Sequence, residues 1–373
     1  MNLSVQRINF KSINHYFSTL RMQRMSFSKI ILQWYSGHKR TLPWRGSRDP
    51  YKIWLSEIIL QQTRVAQGTP YYLKFVEHFP TVTDLAMASE AQVLKLWQGL
   101  GYYSRARNLH ATAKKVAFDL GGKFPSTYEE LMKLKGVGDY TASAIASICF
   151  DEPQPVVDGN VYRVLARYFG IDKPINDSKG STYFKRLARE IMDVENIRDY
   201  NQGIMEFGAI QCAPQNPYCL HCPLNQSCVA LQKNVVKELP VKLKKTKVRH
   251  RYFNYLVPIT KNENGANSTL LRQRKSKGIW QNLWEFPLLE SEGDIDLSQI
   301  KARIPEVLPL HGNSEVELFN ESPIVHKLSH QHLYTKFWIV QSNTDLTGAI
   351  PFDALEEYAV PVLLADFIKT YKI

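Results

Sequence analysis

The feature that most constrains the fold is a change in hydrophobic periodicity, marked by a run of basic residues. From residue 26 to about 229, apolar residues recur at helical spacing, with breaks at Pro80, Gly121-Gly122, Pro125 and Pro174. Lys242, Lys244, Lys245, Lys247, Arg249 and Arg251 then follow with no acid between them. Beyond them, residues 252–258, 270–274 and 334–340 read as strands separated by turns. A helical stripe and an alternating strand face bury different surfaces, so two domains of different class are expected, and 373 residues leave room for a core in each. The fold class is α+β and multidomain. It comprises an N-terminal extension over 1–25, read as disordered, a helical domain over 26–229, a basic linker over 230–251 and a mixed α/β domain over 252–373.

The formal charge of +12 suits a polyanionic partner, because Lys and Arg gain affinity by displacing counterions from phosphates. An anionic membrane surface would also attract such a chain, but no apolar run is long enough to span a bilayer. Residues 1–25 carry Arg7, Lys11, Arg21 and Arg24 and no acid, the composition of a mitochondrial transit peptide. The segment lacks an amphipathic stripe, so a start at Met25 is the preferred reading.

Glu57 is an acid in an apolar setting. It lies in Pro50-Tyr-Lys-Ile-Trp-Leu-Ser-Glu-Ile-Ile-Leu-Gln-Gln-Thr63, where Asp49 makes a good N-cap and Pro50 a good first helical residue. That phase sets Ile53 and Trp54 one turn before Glu57 and Leu60 one turn after. A carboxyl desolvated in this way has its pKa raised and holds a proton near neutral pH, as a general acid must. The plainer alternative is a buried structural acid.

Two further segments give Glu57 a context. Leu134-Lys-Gly136-Val-Gly138-Asp-Tyr140-Thr141 lies between two helical patterns, the first opened by a capping box of Ser126 with Glu129. Gly136 and Gly138 allow the chain to turn and bring bare backbone N–H groups close to a phosphate. Val156-Val-Asp158-Gly-Asn160-Val-Tyr-Arg163 follows, with Asp158 where a helix begins. Free amides and the helix dipole there favour its ionised form. A protonated Glu57 beside an ionised Asp158 is the pairing that breaks glycosidic bonds.

Cysteines fall at 212, 219, 222 and 228, leaving Cys149 in an apolar helix as a buried, inert thiol. Four thiolates at that spacing hold zinc or an iron–sulfur cluster, and spacing does not choose between them. Tyr102, in a Gly-Tyr-Tyr-Ser turn, and Gln62, at a helix end, suit insertion into a gap left by an extruded base. Arg45, Arg105 and Arg107 are candidate phosphate contacts.

The hairpin, Val-Asp-Gly-Asn and cysteine motifs, in this order, resemble the endonuclease III and MutY superfamily of DNA glycosylases. The cysteine loop over 212–228 is similar to that superfamily's [4Fe–4S] loop. Leu42-Pro-Trp44-Arg45, Trp54-Leu-Ser-Glu57 through Gln62-Thr, Gly99-Leu-Gly-Tyr-Tyr-Ser-Arg105-Ala-Arg-Asn-Leu-His110 and Asp158-Gly-Asn160 resemble the MutY family of adenine DNA glycosylases. The resemblance implies a helix-hairpin-helix domain in which Glu57 protonates adenine N7 and then activates water. Asp158 stabilises or traps the C1′ cation, and Tyr140 and Asn160 complete the catalytic set. It further implies Trp44 and Gln202 at the adenine pocket and Leu100 among the DNA contacts. The implied partner is duplex DNA with 8-oxoguanine:adenine or guanine:adenine mispairs, bound by a monomer. The location would be bacterial cytoplasm, or nucleus and mitochondrion in a eukaryote.

Tyr140 discriminates on chemical grounds. Bifunctional relatives carry a Lys at this hairpin position, whose amine attacks C1′; a phenol cannot form a Schiff base. A monofunctional enzyme that leaves an abasic site is therefore expected.

Gly278-Ile-Trp-Gln-Asn-Leu-Trp284-Glu-Phe-Pro287 resembles the Nudix-like C-terminal domain of the same family, without the glutamate-rich metal helix of a Nudix hydrolase. Leu328-Ser329-His330 aligns with that family's Phe-Ser-His loop for 8-oxoguanine, with Leu in place of Phe. The alternatives are a thymine-mismatch or bifunctional glycosylase, or a non-catalytic iron–sulfur DNA-binding protein. The first should lack the C-terminal domain; the last leaves Glu57, Tyr140 and Asp158 without a role.

Overall fold

The computed structural model describes residues 26–243, 248–261, 265–308, 314–342 and 346–371. The extension over 1–25, with its transit-peptide and alternative-start readings, lies outside the described residues, as do Lys244, Lys245 and Lys247. Two compact units emerge. One is built from 26–76 and 115–243, the other from 77–114 together with 248–371. The expected domains are contiguous along the chain; the compact units interleave.

The first unit is helical. Asp49 caps the Pro50–Leu60 helix by accepting from the Tyr51 N–H at 2.9 Å, with Pro50 at the first turn. Its side chains are buried nearly all round, with Trp54, Leu55 and Ile59 fully enclosed. It packs on the Asp139–Phe150 helix, whose Ala142, Ala144, Ile145 and Ala146 are also enclosed. Small residues on that face let the two backbones approach closely. A short Tyr128–Leu131 helix precedes the hairpin. Its cap lies one residue beyond the expected Ser126: Thr127 accepts from the Glu130 N–H at 3.4 Å. Gly136 turns the chain at φ +77°, and Gly138 serves as N-cap without a side chain to cover the helix start. Asp158 then opens the Gly159–Phe169 helix, and Ile197–Glu206 continues into a π-helical turn over Phe207–Gln211.

The second unit centres on two long strands, Arg249–Lys261 and Gln331–Gln341, paired in parallel from Arg249↔Gln331 to Ile259↔Gln341. Leu288–Ser291 pairs antiparallel with the first strand, and Glu315–Leu318 and Ile324–Lys327 with the second. One sheet face carries Leu256, Leu289, Trp338 and Val340 against Ile300 and Ile304 of the Leu297–Val307 helix. On the Val362–Thr370 helix, Phe367 stacks on Phe337 at 4.0 Å between ring centroids. Of the strand expected over 270–274 only Arg272–Gln273 forms, preceded by a separate strand at Asn267–Thr269, with buried Leu271 between them. The other two are longer than expected because parallel pairing extends past their apolar centres. Segment 77–114 joins this unit through polar contacts: Asn282 donates to Glu90 at 2.6 Å, Lys95 to the Tyr358 carbonyl at 3.2 Å and Arg107 to the Gln281 carbonyl at 2.8 Å.

Candidate active site

The first unit brings Glu57, Tyr140 and Asp158 within electrostatic reach of one another. Glu57 is partly covered, with Ile53, Trp54 and Ile58 buried around it on the same helix. Desolvation pushes its carboxyl up to about 7, with a hydrogen bond from Tyr140 pulling the other way and the Asp158 charge adding to the rise. The Tyr140 phenol is held well above its usual range, by burial first and then by the two carboxyls, so it remains a donor. Its hydroxyl also lies 3.2 Å from the Met205 sulfur.

Asp158 is anchored by three donors. Its Oδ1 accepts from the Asn160 N–H at 2.9 Å and the Val161 N–H at 2.8 Å, and its Oδ2 from Asn160 Nδ2 at 2.8 Å. These bonds and the Arg163 charge favour the carboxylate, as expected at a helix start. Burial outweighs them, however, and the Asp158 pKa is raised rather than lowered. The expectation that the two carboxyls are pushed in opposite directions is thereby corrected: both rise, and only Asp158 is compensated by a cap.

Several supporting residues were not singled out from the sequence. Arg163 donates to Asn160 Oδ1 at 2.9 Å, to the Gly208 carbonyl at 2.7 Å and to the Cys212 carbonyl at 2.8 Å, tying Asp158's partner to the π-helical turn and the cysteine loop. Its position three residues after Asn160 on a helix is the one signal for this role. Glu206 is buried and accepts from Arg40 at 2.6 and 2.8 Å and from Arg45 at 2.9 Å. Burial opposes its ionisation, but the two guanidinium groups together outweigh it and hold the carboxyl at about 2. Trp44 is buried edge-on to Tyr72, with 5.1 Å between ring centroids, and Gln202 is buried in the Ile197–Glu206 helix.

The cysteine loop corrects a further expectation. Cys212, Cys219, Cys222 and Cys228 are free thiols, and among the described residues no three or more Cys, His, Asp or Glu side chains stand where they could hold a metal ion. The [4Fe–4S] cluster expected on these four residues is not supported, and neither is zinc. Guanidinium groups organise the loop instead: Arg163 on the Cys212 carbonyl, and Arg167 on the carbonyls of Ala213 at 2.8 Å and Pro214 at 3.3 Å. Burial also pushes Cys222 up to about 12 and raises Cys219 and Cys228, with the charges of neighbouring cysteines adding to each rise. Cys149 is a buried thiol at about 12, as expected of an inert one.

Of the candidate DNA contacts, Gln62 is exposed in a left-handed conformation at φ +55° just beyond its helix. Tyr102, in the second unit, is 43% exposed at φ +46°. Left-handed backbone at a residue with a Cβ costs about 1 kcal/mol or more. Leu100 is buried at 6% exposure. Three arginines are engaged with protein: Arg45 with Glu206, Arg107 with Gln281, and Arg105 with the Leu100 and Gly101 carbonyls while lying over the Trp97 ring.

Within the second unit, Leu328-Ser329-His330 forms the tip between strands Ile324–Lys327 and Gln331–Gln341, closed by the Leu328 N–H on the Gln331 carbonyl at 2.8 Å. The Tyr102 hydroxyl hydrogen-bonds Ser329 Oγ. Both line a cavity of about 720 Å³ that also takes in Arg107, Arg249, Lys277, Trp280, Lys327 and His330.

Comparison with known proteins defines the class first. Residues 55–190 match the HhH-GPD superfamily of base excision DNA repair proteins, and residues 259–370 match the NUDIX domain. The structure of a thermostable thymine-DNA glycosylase aligns at TM-score 0.54 and 32% identity over 57% of this chain and 99% of that one. An endonuclease III–DNA complex aligns at TM-score 0.51 and 23% identity over 57% and 97%, a likeness of fold. Such a fold and site are those of a hydrolase of N-glycosidic bonds that works on DNA.

The adenine DNA glycosylase of Buchnera aphidicola subsp. Baizongia pistaciae is 36% identical over 323 residues, 86% of this chain and 87% of that protein. The human adenine DNA glycosylase is 45% identical over 217 residues, 56% of this chain and 40% of that protein. The chain belongs to the adenine DNA glycosylase family.

Proposed function

We propose that this enzyme removes adenine from duplex DNA where it lies opposite 8-oxoguanine or guanine, acting as a monomer and leaving an abasic site. The observation that carries the reading is a carboxyl held at about 7 beside a second carboxyl fixed by three hydrogen bonds. Near neutral pH, Glu57 is present in both protonation states, as a group that first gives and then takes a proton must be. Glu57 protonates adenine N7, which draws electrons from the C1′–N9 bond. As that bond breaks, Asp158 stabilises the cation at C1′ by its charge or by a covalent ester. Glu57, now a carboxylate, takes a proton from the water that adds to C1′. Tyr140 donates to Glu57 and orients it, and Asn160, held by Arg163, orients Asp158.

Trp44 and Gln202 line the adenine pocket on this reading. Gly136 and Gly138 present backbone N–H groups to phosphate. Gln62 and Tyr102 are each an exposed side chain in a left-handed turn, well suited to insertion into duplex DNA from which a nucleotide has been extruded. Ser329 and His330 read the opposite base, while Leu328 supplies apolar contact and less stacking than an aromatic ring would. The thymine-DNA glycosylase aligned above is covered to 99% by 57% of this chain, so the Nudix-like part is extra to it. An added reading domain favours a lesion-dependent adenine enzyme.

The test is incubation with duplexes carrying adenine opposite 8-oxoguanine, guanine, cytosine or thymine, with products measured before and after alkali. Release of adenine opposite 8-oxoguanine and guanine, with strand breaks only after alkali, is the expected result. Release of thymine, or breaks without alkali, would overturn the reading.

A further inference from the structure

Arg45, Arg105 and Arg107 are engaged with protein groups, whereas Arg249 of the basic run, Lys277 and Lys327 are not. Arg249, Lys277 and Lys327 all line the 720 Å³ cavity, all are exposed, and none has an ion pair among the described residues. Their placement follows from the sheet. The Gln331–Gln341 strand has Ile324–Lys327 on one side and Arg249–Lys261 on the other. Lys327 ends the first of these neighbours, opposite His332. Arg249 begins the second, opposite Gln331, with its N–H on the His330 carbonyl at 3.0 Å. The two therefore flank the Leu328–His330 tip, and Lys277 lines the cavity from the turn at Gly278, φ +127°. Arg107 and Arg251 add charge to the lining while bonded to Gln281 and Glu290, and no carboxylate lines the cavity. Like charges gathered around a concave space repel one another until an anion enters.

We propose that Arg249, Lys277 and Lys327 form a phosphate clamp that grips the DNA backbone beside the nucleotide presented to Ser329. The clamp rests on the lesion-reading role assigned above but does a different job: it supplies affinity and register, and the Ser329 tip supplies discrimination. None of its three members bonds a base, so its contribution is the same whatever base is read.

The experiment measures binding of the full-length protein to duplexes in which a non-hydrolysable adenosine analogue lies opposite 8-oxoguanine or guanine, at several salt concentrations. Replacing Arg249, Lys277 or Lys327 singly by Ala should weaken binding to both duplexes by similar factors. Each should also lower the slope of log K against log salt by about 0.9. Lys277→Arg and Lys327→Arg should restore the slope, which a change that merely unsettled the fold would not. An unchanged slope, or weakening confined to the 8-oxoguanine duplex, would overturn the clamp. Ser329→Ala with His330→Ala separates the two ideas. If that pair keeps the full lesion preference, the reading role fails, whereas the slopes decide the clamp by themselves.

Discussion

Gly208 lies so close to Asn160 that a Cβ built on it would stand 2.7 Å from the Asn160 Cβ and 2.8 Å from its carbonyl oxygen. The π-helical turn over Phe207–Gln211 thus presses its bare backbone on the residue that holds Asp158, while Arg163 bonds both sides of the contact. A side chain at 208 has nowhere to go except into the start of the catalytic helix. Gly208→Ala should destabilise the protein by about 1–3 kcal/mol through overpacking. It should also slow base excision more than it weakens DNA binding, since the displaced group is Asn160. Urea unfolding together with single-turnover rates tests this, and native values in both would show that the helix start yields easily.

The raised pKa of Glu57 predicts a direction for pH dependence. If Glu57 must begin protonated, excision should decline through an ionisation near pH 7 as pH rises. Glu57→Gln should reduce the rate by roughly 10²-fold or more and abolish that ionisation, with mispair binding retained. Stability moves the same way, over a wider range of pH. A carboxyl whose pKa rises from 4.5 to about 7 on folding favours the folded state most below 4.5, and loses that contribution as pH climbs to 7. The Gln variant should therefore gain in Tm relative to the native protein between these limits and hold its advantage above them. Parallel Tm curves would place the carboxyl in water.

Glu206 gives the mirror case. Its carboxyl is lowered to about 2, so its contribution is present above 4.5 and is lost as pH falls from 4.5 towards 2. Glu206→Gln should cost about 3 kcal/mol at pH 7, the low end for a broken buried pair, because Arg40 is 38% exposed. The difference from the native protein should shrink over the acid range. A difference independent of pH would mean that shape, not charge, is what Glu206 supplies.

Tyr140 predicts the outcome of borohydride treatment during reaction. The native phenol forms no Schiff base, so little protein–DNA adduct should be trapped, and Tyr140→Lys should trap much more by setting an amine in the catalytic group. Abundant trapping with the native protein would move it to the bifunctional branch.

Loss of lesion preference is the expected effect of Ser329→Ala with His330→Ala, because a hydrogen-bonding reader discriminates through groups left unpaired by the wrong base. The ratio of excision rates opposite 8-oxoguanine and guanine measures it. A ratio equal to the native one would assign the Leu328–His330 tip another role.

The site was legible wherever a local rule governs it. Asp49-Pro50 fixed the phase of the helix that carries Glu57, and Asp158-Gly159 marked a capped helix start; both stand in the structure. Where local rules compete with packing they misled. The cap at Asp158 pulls its pKa down as amides at a helix start do, but burial outweighs it. The cysteine spacing suggested a cluster, whereas the loop is held by Arg163 and Arg167 on its carbonyls, contacts no spacing encodes.

By itself the sequence determined which chemistry is available: an acid on an apolar helix, a second acid at a helix start, a phenol where an amine would cleave strands, and a change of periodicity that demands two kinds of core. Tertiary structure alone decided which charges remain free to meet a partner. Arg45, Arg105 and Arg107 are engaged with protein groups, while Arg249, Lys277 and Lys327 line a cavity without an ion pair among the described residues. It also decided that residues 77–114 belong with 248–371. The physical reason is common to both: desolvation and ion pairing depend on atoms brought together from far along the chain, whereas caps, turns and periodicity depend on neighbours a few residues away.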